Sequence, residues 1–221
     1  MTGTSRNLDS CHRAEALSDG VFAITLTLLV LEIHRPSPAP GQLASDLLKA
    51  WPAYLAYVMA FCYAGIIWLN HHAIFRCLAK VDLKLNFLNL LGLGATVLIP
   101  FPAVVMADAF RAGDMVNEKT AVVLYAVVCG LMSAAWIPIF PYLAKHPELV
   151  KPEVPEGLFE AQVSRPFVGV GAYSLAALLG GFVSPYIAIV LFVFMIVYHA
   201  VTSQGLPVRQ PKAESGNAPT L

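Results

Sequence analysis

Six stretches of mostly apolar residues alternate with short polar ones along this 221-residue chain. Each is close to the roughly 20 residues that an α-helix needs to cross the hydrocarbon core of a bilayer. They fall at residues 14–33, 51–75, 85–110, 119–143, 166–183 and 185–203. The pattern predicts an all-α, polytopic membrane protein with a single six-helix domain over residues 1–205. Residues 206–221, which include "PVRQPKAESGNAPTL", are polar and proline-containing and are expected to be a disordered tail. Only the "VSP" region separates the last two spans, so they are expected to form a tight helical hairpin. Prolines late in the third and fourth spans, in "VLIPFP" and "WIPIFP", are expected to kink or end those helices.

The first span, "RAEALSDGVFAITLTLLVLEI", breaks its own pattern. On a helix Ile24, Leu28 and Leu31 form one stripe, and Thr27 lies beside it. Ser18 and Asp19 sit about a turn and a half from Arg13, toward one end of the apolar run. A charge at mid-bilayer costs roughly 2.5–3.5 kcal/mol on insertion scales. Asp19 is therefore either an interfacial carboxylate that snorkels or pairs with a basic residue, or part of a polar network facing the protein interior or a water-filled vestibule. The second span carries a comparable cluster, "WLNHHAIF", with Trp68, Asn70, His71 and His72. Antiparallel neighbours bring these two clusters to one depth, which makes an Arg13/Asp19/His71 hydrogen-bond group geometrically possible. Adjacent histidines point about 100° apart on a helix, so His71 and His72 cannot both face one partner. Metal sites on helices favour spacings of three or four, and no metal ligand set is expected.

Composition sharpens this picture. The chain is 57% hydrophobic and 13% charged, against about 25% charge in soluble domains, and its mean hydropathy is +0.67. Fourteen basic residues balance fourteen acidic ones, so no basic excess points to a nucleic-acid partner. Ten of the fourteen basic residues fall on the side of the N-terminus, the 2–3 loop, the 4–5 loop and the tail. By the positive-inside bias both termini are expected in the cytoplasm of a multi-pass plasma-membrane protein. The first ten residues are polar and lack the apolar core of a signal peptide, so the first span is expected to remain as a membrane segment. Cys11, Cys62, Cys77 and Cys129 show no CxxC spacing; two lie inside apolar runs, where a free thiol acts as a small hydrophobe. The loops are too short to carry a soluble active site. "VGVGAY" (residues 168–173) faintly echoes a carbonyl filter, but small residues for close helix packing account for it better. No nucleophile-elbow, zincin, Walker or haem-attachment motif is present, and no catalytic residue is assigned.

The first span closely resembles the first helix of the transmembrane protein 175 potassium channel family, in its short bacterial form. Arg13, Ser18 and Asp19 match that family's signature, with Leu17 where phenylalanine is commoner. "WLNHHAIF" resembles the second-helix signature through Trp68, His71 and Phe75, and "LNFLNLLGLGATVLIPFP" resembles the third helix. The resemblance covers the first half of the chain; the second half matches in span count. It implies a homotetramer in the lipid bilayer around a central pore lined by the first helix, with K+ as the permeant ion and no cofactor. It further implies that Ile24, Leu28 and Leu31 are apolar pore rings, Ile24 the narrowest, and that Thr27 bears on potassium preference. Arg13, Ser18, Asp19, Trp68 and His71 would form the supporting polar network.

The expected function is a potassium-permeable cation channel and not an enzyme. Two alternatives stay open at this stage. One is a proton-coupled secondary transporter with Asp19 and the histidines as relay; such proteins often show two related halves, whereas "LSDGVFAI" occurs once. The other is a membrane enzyme with a His-ligated metal or haem, which the ligand spacing disfavours.

Overall fold

The structure, a computed structural model, describes residues 2–33 and 40–203, with side chains described from Cys11 to Thr202. The tail at 206–221 lies outside the described residues. Helix α1 runs over Thr2–Leu31 and begins well before the apolar run. A short α2 (Leu43–Lys49) precedes α3 (Trp51–Phe75). The third span is α4 (Leu83–Val97) followed by α5 (Pro100–Ala112), and the fourth is α6 (Met115–Trp136) followed by α7 (Ile139–Lys145). A 3-10 turn at Pro147–Leu149 and α8 (Leu158–Gln162) lead into α9 (Arg165–Phe182) and α10 (Pro185–Ser203). Six membrane-length segments result: Cys11–Leu31, Trp51–Phe75, Leu83–Ala112, Met115–Lys145, Leu158–Phe182 and Pro185–Thr202.

Proline explains the two interrupted spans. Pro100 and Pro138 have no N–H to donate, and each ring clashes with the carbonyl four residues back. The chain answers with tight i→i−3 bonds, Ile99 N–H to Thr96 O at 3.1 Å and Ile137 N–H to Ala134 O at 3.0 Å. The helix then resumes within the same span. The prolines at these positions therefore bend spans without ending them.

Helices α3 and α6 form the centre, with about half of each spanning window buried, while α1, α9 and α10 lie outside with 22–28% buried. Small residues set the closest approach. A Cβ on Gly169 would stand 2.6 Å from Ser133 Oγ, and one on Gly180 would stand 2.8 Å from both Val122 Cγ2 and Ala188 Cβ. The glycines of α9 thus let it lie directly on α6 and α10, as van der Waals packing between membrane helices demands. Tyr63, Tyr125 and Tyr173 fill the middle, each under 3% exposed. Tyr63 and Tyr173 meet edge-on at 5.8 Å, and the Tyr63 hydroxyl donates to Cys129 O at 3.3 Å. All four cysteines are free; Cys129 is buried in this core and Cys62 is exposed.

At the end of the bundle where α3 leaves, the 4–5 loop docks on the 2–3 loop. Leu78 pairs antiparallel with Val150; Ala79 N–H donates to Leu149 O at 2.8 Å and Lys151 N–H to Cys77 O at 2.9 Å. Asp82 caps α4, accepting from Leu85 N–H at 2.8 Å and from the Tyr142 hydroxyl. Lys84 Nζ stands 4.7 Å over the Tyr142 ring. Slight burial raises the Asp82 pKa, but the Tyr142 and Leu85 bonds and the nearby His146 outweigh it and hold the carboxyl below its usual range. A carboxylate lowered in this way adds stability above its unfolded pKa of about 3.9 and loses it as pH falls through the folded value. Asp82→Asn is therefore expected to melt below wild type near neutral pH, with the two converging as pH falls below the ordinary carboxylate range. Thermal denaturation across that pH series checks it; a constant gap at all pH values would rule out the charge of Asp82 as the cause.

Candidate functional site

Helix α1 carries three distinct faces. Ala14, Ser18, Phe22, Thr25 and Leu29 recur at spacings of three and four, and all are buried. That spacing is the signature of a helix packed along one stripe. Ser18 is fully buried in this stripe, and its hydroxyl donates to Ala14 O at 2.8 Å. The hydroxyl also accepts from Asn89 Nδ2 at 3.0 Å. Asn89 Oδ1 in turn lies 2.8 Å from His71 Nε2. Because Asn89 turns its NH2 to Ser18, its oxygen faces the imidazole, which assigns the proton to His71 Nε2. His71 stacks on Phe75 at 4.1 Å and lies against Phe22 and Trp136 at 5.6 and 6.1 Å. A three-member polar chain inside the protein thus ties α1 to α4 and α3.

The adjoining face pairs acid with aromatic residues. Trp68 Nε1 donates to Asp19 Oδ1 at 2.8 Å. One turn away, His72 Nδ1 stands 3.2 Å from Glu15 Oε1, close enough for an ion pair but out of line for a hydrogen bond. The His72 and Trp68 rings stack at 5.8 Å. Glu15 and Asp19 are four apart on α1, as Trp68 and His72 are on α3, so the contacts form two rungs between antiparallel helices. The two histidines face different partners, as their angular separation requires.

The third face is bare in the single chain. Ile24 is 61% exposed, Leu28 44% and Leu31 74%, whereas Phe22 and Leu29 are 1% and 2%. Thr27 shares the bare face, and its hydroxyl reaches back to Ala23 O at 2.9 Å and Ile24 O at 3.0 Å. Its one proton is thereby directed into the helix, and its oxygen lone pairs are presented outward.

Two expectations need correction. Asp19 and His71 do not share a hydrogen bond: Asp19 takes Trp68 and His71 takes Asn89. Arg13 is exposed, and among the described residues no hydrogen bond or ion pair joins it to either. The reason is rotational. Six residues place Asp19 about 120° around the helix from Arg13, while eleven residues bring Ile24 within about 20° of it. Arg13 therefore belongs to the bare face. Asn89, the central member of the buried chain, is the residue of this site that reading the sequence missed. Its one signal was an amide within the apolar run "LNFLNLLGLG" of α4. Among the described residues no three His, Cys, Asp or Glu side chains converge closely enough to hold a metal ion.

A bundle of six membrane-length segments, its first helix fastened along two faces and bare on the third, defines an all-α polytopic membrane protein. The chain belongs to the family described as "Endosomal/lysosomal potassium channel TMEM175". That family's sequence profile matches residues 13–100, which hold most of α1 and all of α2, α3 and α4. A potassium channel of Streptomyces collinus is 36% identical over 209 residues, covering 94% of this chain and all of the relative. A potassium channel of Chamaesiphon minutus is 33% identical over 194 residues, covering 86% of this chain and 94% of the relative. The crystal structure of a lysosomal potassium-selective channel TMEM175 homolog from Chamaesiphon minutus superposes with a TM-score of 0.77 at 29% identity. That superposition spans 89% of this chain and all of the other. The family is one of ion channels, not of enzymes.

Proposed function

We propose that this chain is the subunit of a homotetrameric, potassium-permeable channel in the cell membrane, with four copies of α1 around a shared axis. The observation that carries the reading is the bare apolar stripe of α1, opposite a face fixed by buried hydrogen bonds. One helix encloses no path, but cyclic symmetry turns each exposed residue into a ring. Ile24, Leu28 and Leu31 then form stacked apolar rings, and such constrictions gate by excluding water. Thr27 contributes one outward-facing hydroxyl oxygen per subunit, four in the ring. A cation that has shed part of its hydration finds oxygen there, and potassium sheds water more readily than sodium. The buried Ser18–Asn89–His71 chain and the Asp19–Trp68 bond fix the rotation of α1, and so decide which residues form the rings. Both termini lie in the cytoplasm in this reading, in keeping with the distribution of Lys and Arg.

Purified protein reconstituted in liposomes with an outward potassium gradient tests the proposal. Wild-type vesicles are expected to discharge the gradient far faster than empty ones, and no discharge under any gradient would sink the channel reading. Thr27→Val keeps the shape and removes the oxygen. Its expected effect is a shift of the reversal potential in mixed potassium and sodium toward zero preference, with conduction retained. An unchanged reversal potential would remove Thr27 from selectivity while leaving the rings in place.

A further inference from the structure

Away from α1, a cavity of about 60 Å³ lies between α3, α6, α9 and α10. It is at the end of the bundle where α3 finishes, α9 begins and α10 finishes. Ile67, Ile74 and Phe140 make much of its wall apolar. Three polar groups in the wall are poorly matched by the protein itself. Trp136 is 8% exposed, and its indole N–H has no hydrogen-bond partner. Nε2 of His199 is likewise buried and without a partner. Arg165 is half-buried at the first position of α9, and its Nη1 donates to Gln162 Oε1 at 2.6 Å. No carboxylate pairs with Arg165 among the described residues.

We propose that this cavity binds the acidic headgroup of a membrane lipid. A half-buried guanidinium without a counter-charge attracts an anion, and the start of α9 adds its partial positive charge at the same place. Arg165 offers a planar fork suited to phosphate or carboxylate oxygens. The Trp136 N–H is a further donor, and a buried donor left unpaired costs about 1–3 kcal/mol, which a bound oxygen relieves. The space exceeds the roughly 10–15 Å³ that a single water needs. It therefore admits headgroup oxygens and leaves the glycerol and acyl chains outside, against the exposed apolar flank of the bundle. Arg165 and His199 both stand near the end of their spans, where headgroups reside. A free anion shares the oxygen chemistry but would make no use of the exposed apolar flank beside the cavity. None of the residues in the wall comes from α1, so the site stands whether or not the bare stripe of α1 lines a pore.

Native mass spectrometry of the detergent-purified protein tests this, with phosphatidylglycerol and phosphatidylcholine of identical chains. Wild type is expected to retain phosphatidylglycerol about tenfold more strongly, the equivalent of one charge-assisted contact. Arg165→Gln should bring the two lipids to parity, Arg165→Lys should recover part of the preference, and Trp136→Phe should weaken it. Arg76→Gln, on the exposed 2–3 loop, should leave it intact. The oligomer mass in each spectrum reports assembly, so a variant that fails to fold is recognised and the remaining ones decide. Undiminished preference in the assembled Arg165→Gln or Trp136→Phe protein overturns the proposal. Loss of bound lipid from wild type on adding millimolar inorganic phosphate also overturns it, and reassigns the cavity to a free anion.

Discussion

Vesicles carrying Ile24→Asn are expected to pass potassium at least about tenfold faster than wild-type vesicles, with a weaker preference over sodium. Ile24 is 61% exposed in the isolated chain and lies beside Thr27 on the bare face of α1. In a fourfold ring its side chains meet only one another, water and the passing ion. An apolar constriction resists conduction because the ion must leave its water and finds nothing in return. Asparagine is close in length and supplies a carbonyl oxygen per subunit. A reduction of about 1.4 kcal/mol in the barrier is a tenfold gain in rate, a small share of the dehydration cost that four amides would offset. The same oxygens serve sodium, so selectivity falls as flux rises. The measurement is gradient-driven flux together with the reversal potential. Flux equal to wild type would mean that the stripe faces lipid or a neighbouring subunit and not a water path. The substitution lies off the buried faces of α1, so assembly is expected to survive it.

The second large effect is expected at Asn89, where the damage is indirect. Asn89→Leu fills similar space in a site 5% exposed, and removes both arms of the chain between Ser18 and His71. Ser18 keeps its bond to Ala14 O, but His71 Nε2–H loses its acceptor. His71 Nδ1 already has no partner, so the whole imidazole would sit unsatisfied in the packed core. A buried donor stranded in this way costs about 1–3 kcal/mol, and polar contacts between membrane helices average nearer 0.6. The expected results are a lower melting temperature of the assembled protein and a flux reduced out of proportion to the stability lost. The second follows because α1 keeps only the two rungs to α3, Asp19–Trp68 and Glu15–His72, as polar contacts that hold its rotation. A melting shift with flux per assembled channel unchanged would show that the chain supports the fold without aiming the rings. Asn89→Gln, which retains both functional groups, should fall between the two.

Much of this architecture was legible before any coordinates. Span count and limits follow from apolar length, which a bilayer enforces more strictly than water enforces any soluble pattern. The stripe of Ile24, Leu28 and Leu31 was legible because helical periodicity sorts residues by face. The separation of His71 from His72 followed from the same geometry. What failed was pairing across helices. Arg13, Asp19 and His71 share a depth, and depth alone suggested a group. Rotation about each axis decides contact, and the rotation of α3 against α1 is set by packing among many small residues that no short motif encodes. Asn89 escaped notice for a related reason: one amide in an apolar run matters only once two other helices are known to face it. The docking of residues 146–157 on the 2–3 loop was equally hidden, since backbone pairing such as Leu78 with Val150 depends little on side-chain type.

The buried bond between Asn89 and Ser18 has a consequence for how the protein is made. Its two residues are 71 apart, and Trp68 follows Asp19 by 49. At synthesis rates of about 5–20 residues per second, Asn89 leaves the ribosome roughly 4–14 s after Ser18. During that interval α1 is in or at the bilayer with its carboxylate and hydroxyl lacking their eventual partners. Helix α1 is therefore among the first to be translated and among the last to be fixed. Its final orientation is settled only when α4 has entered the membrane beside it.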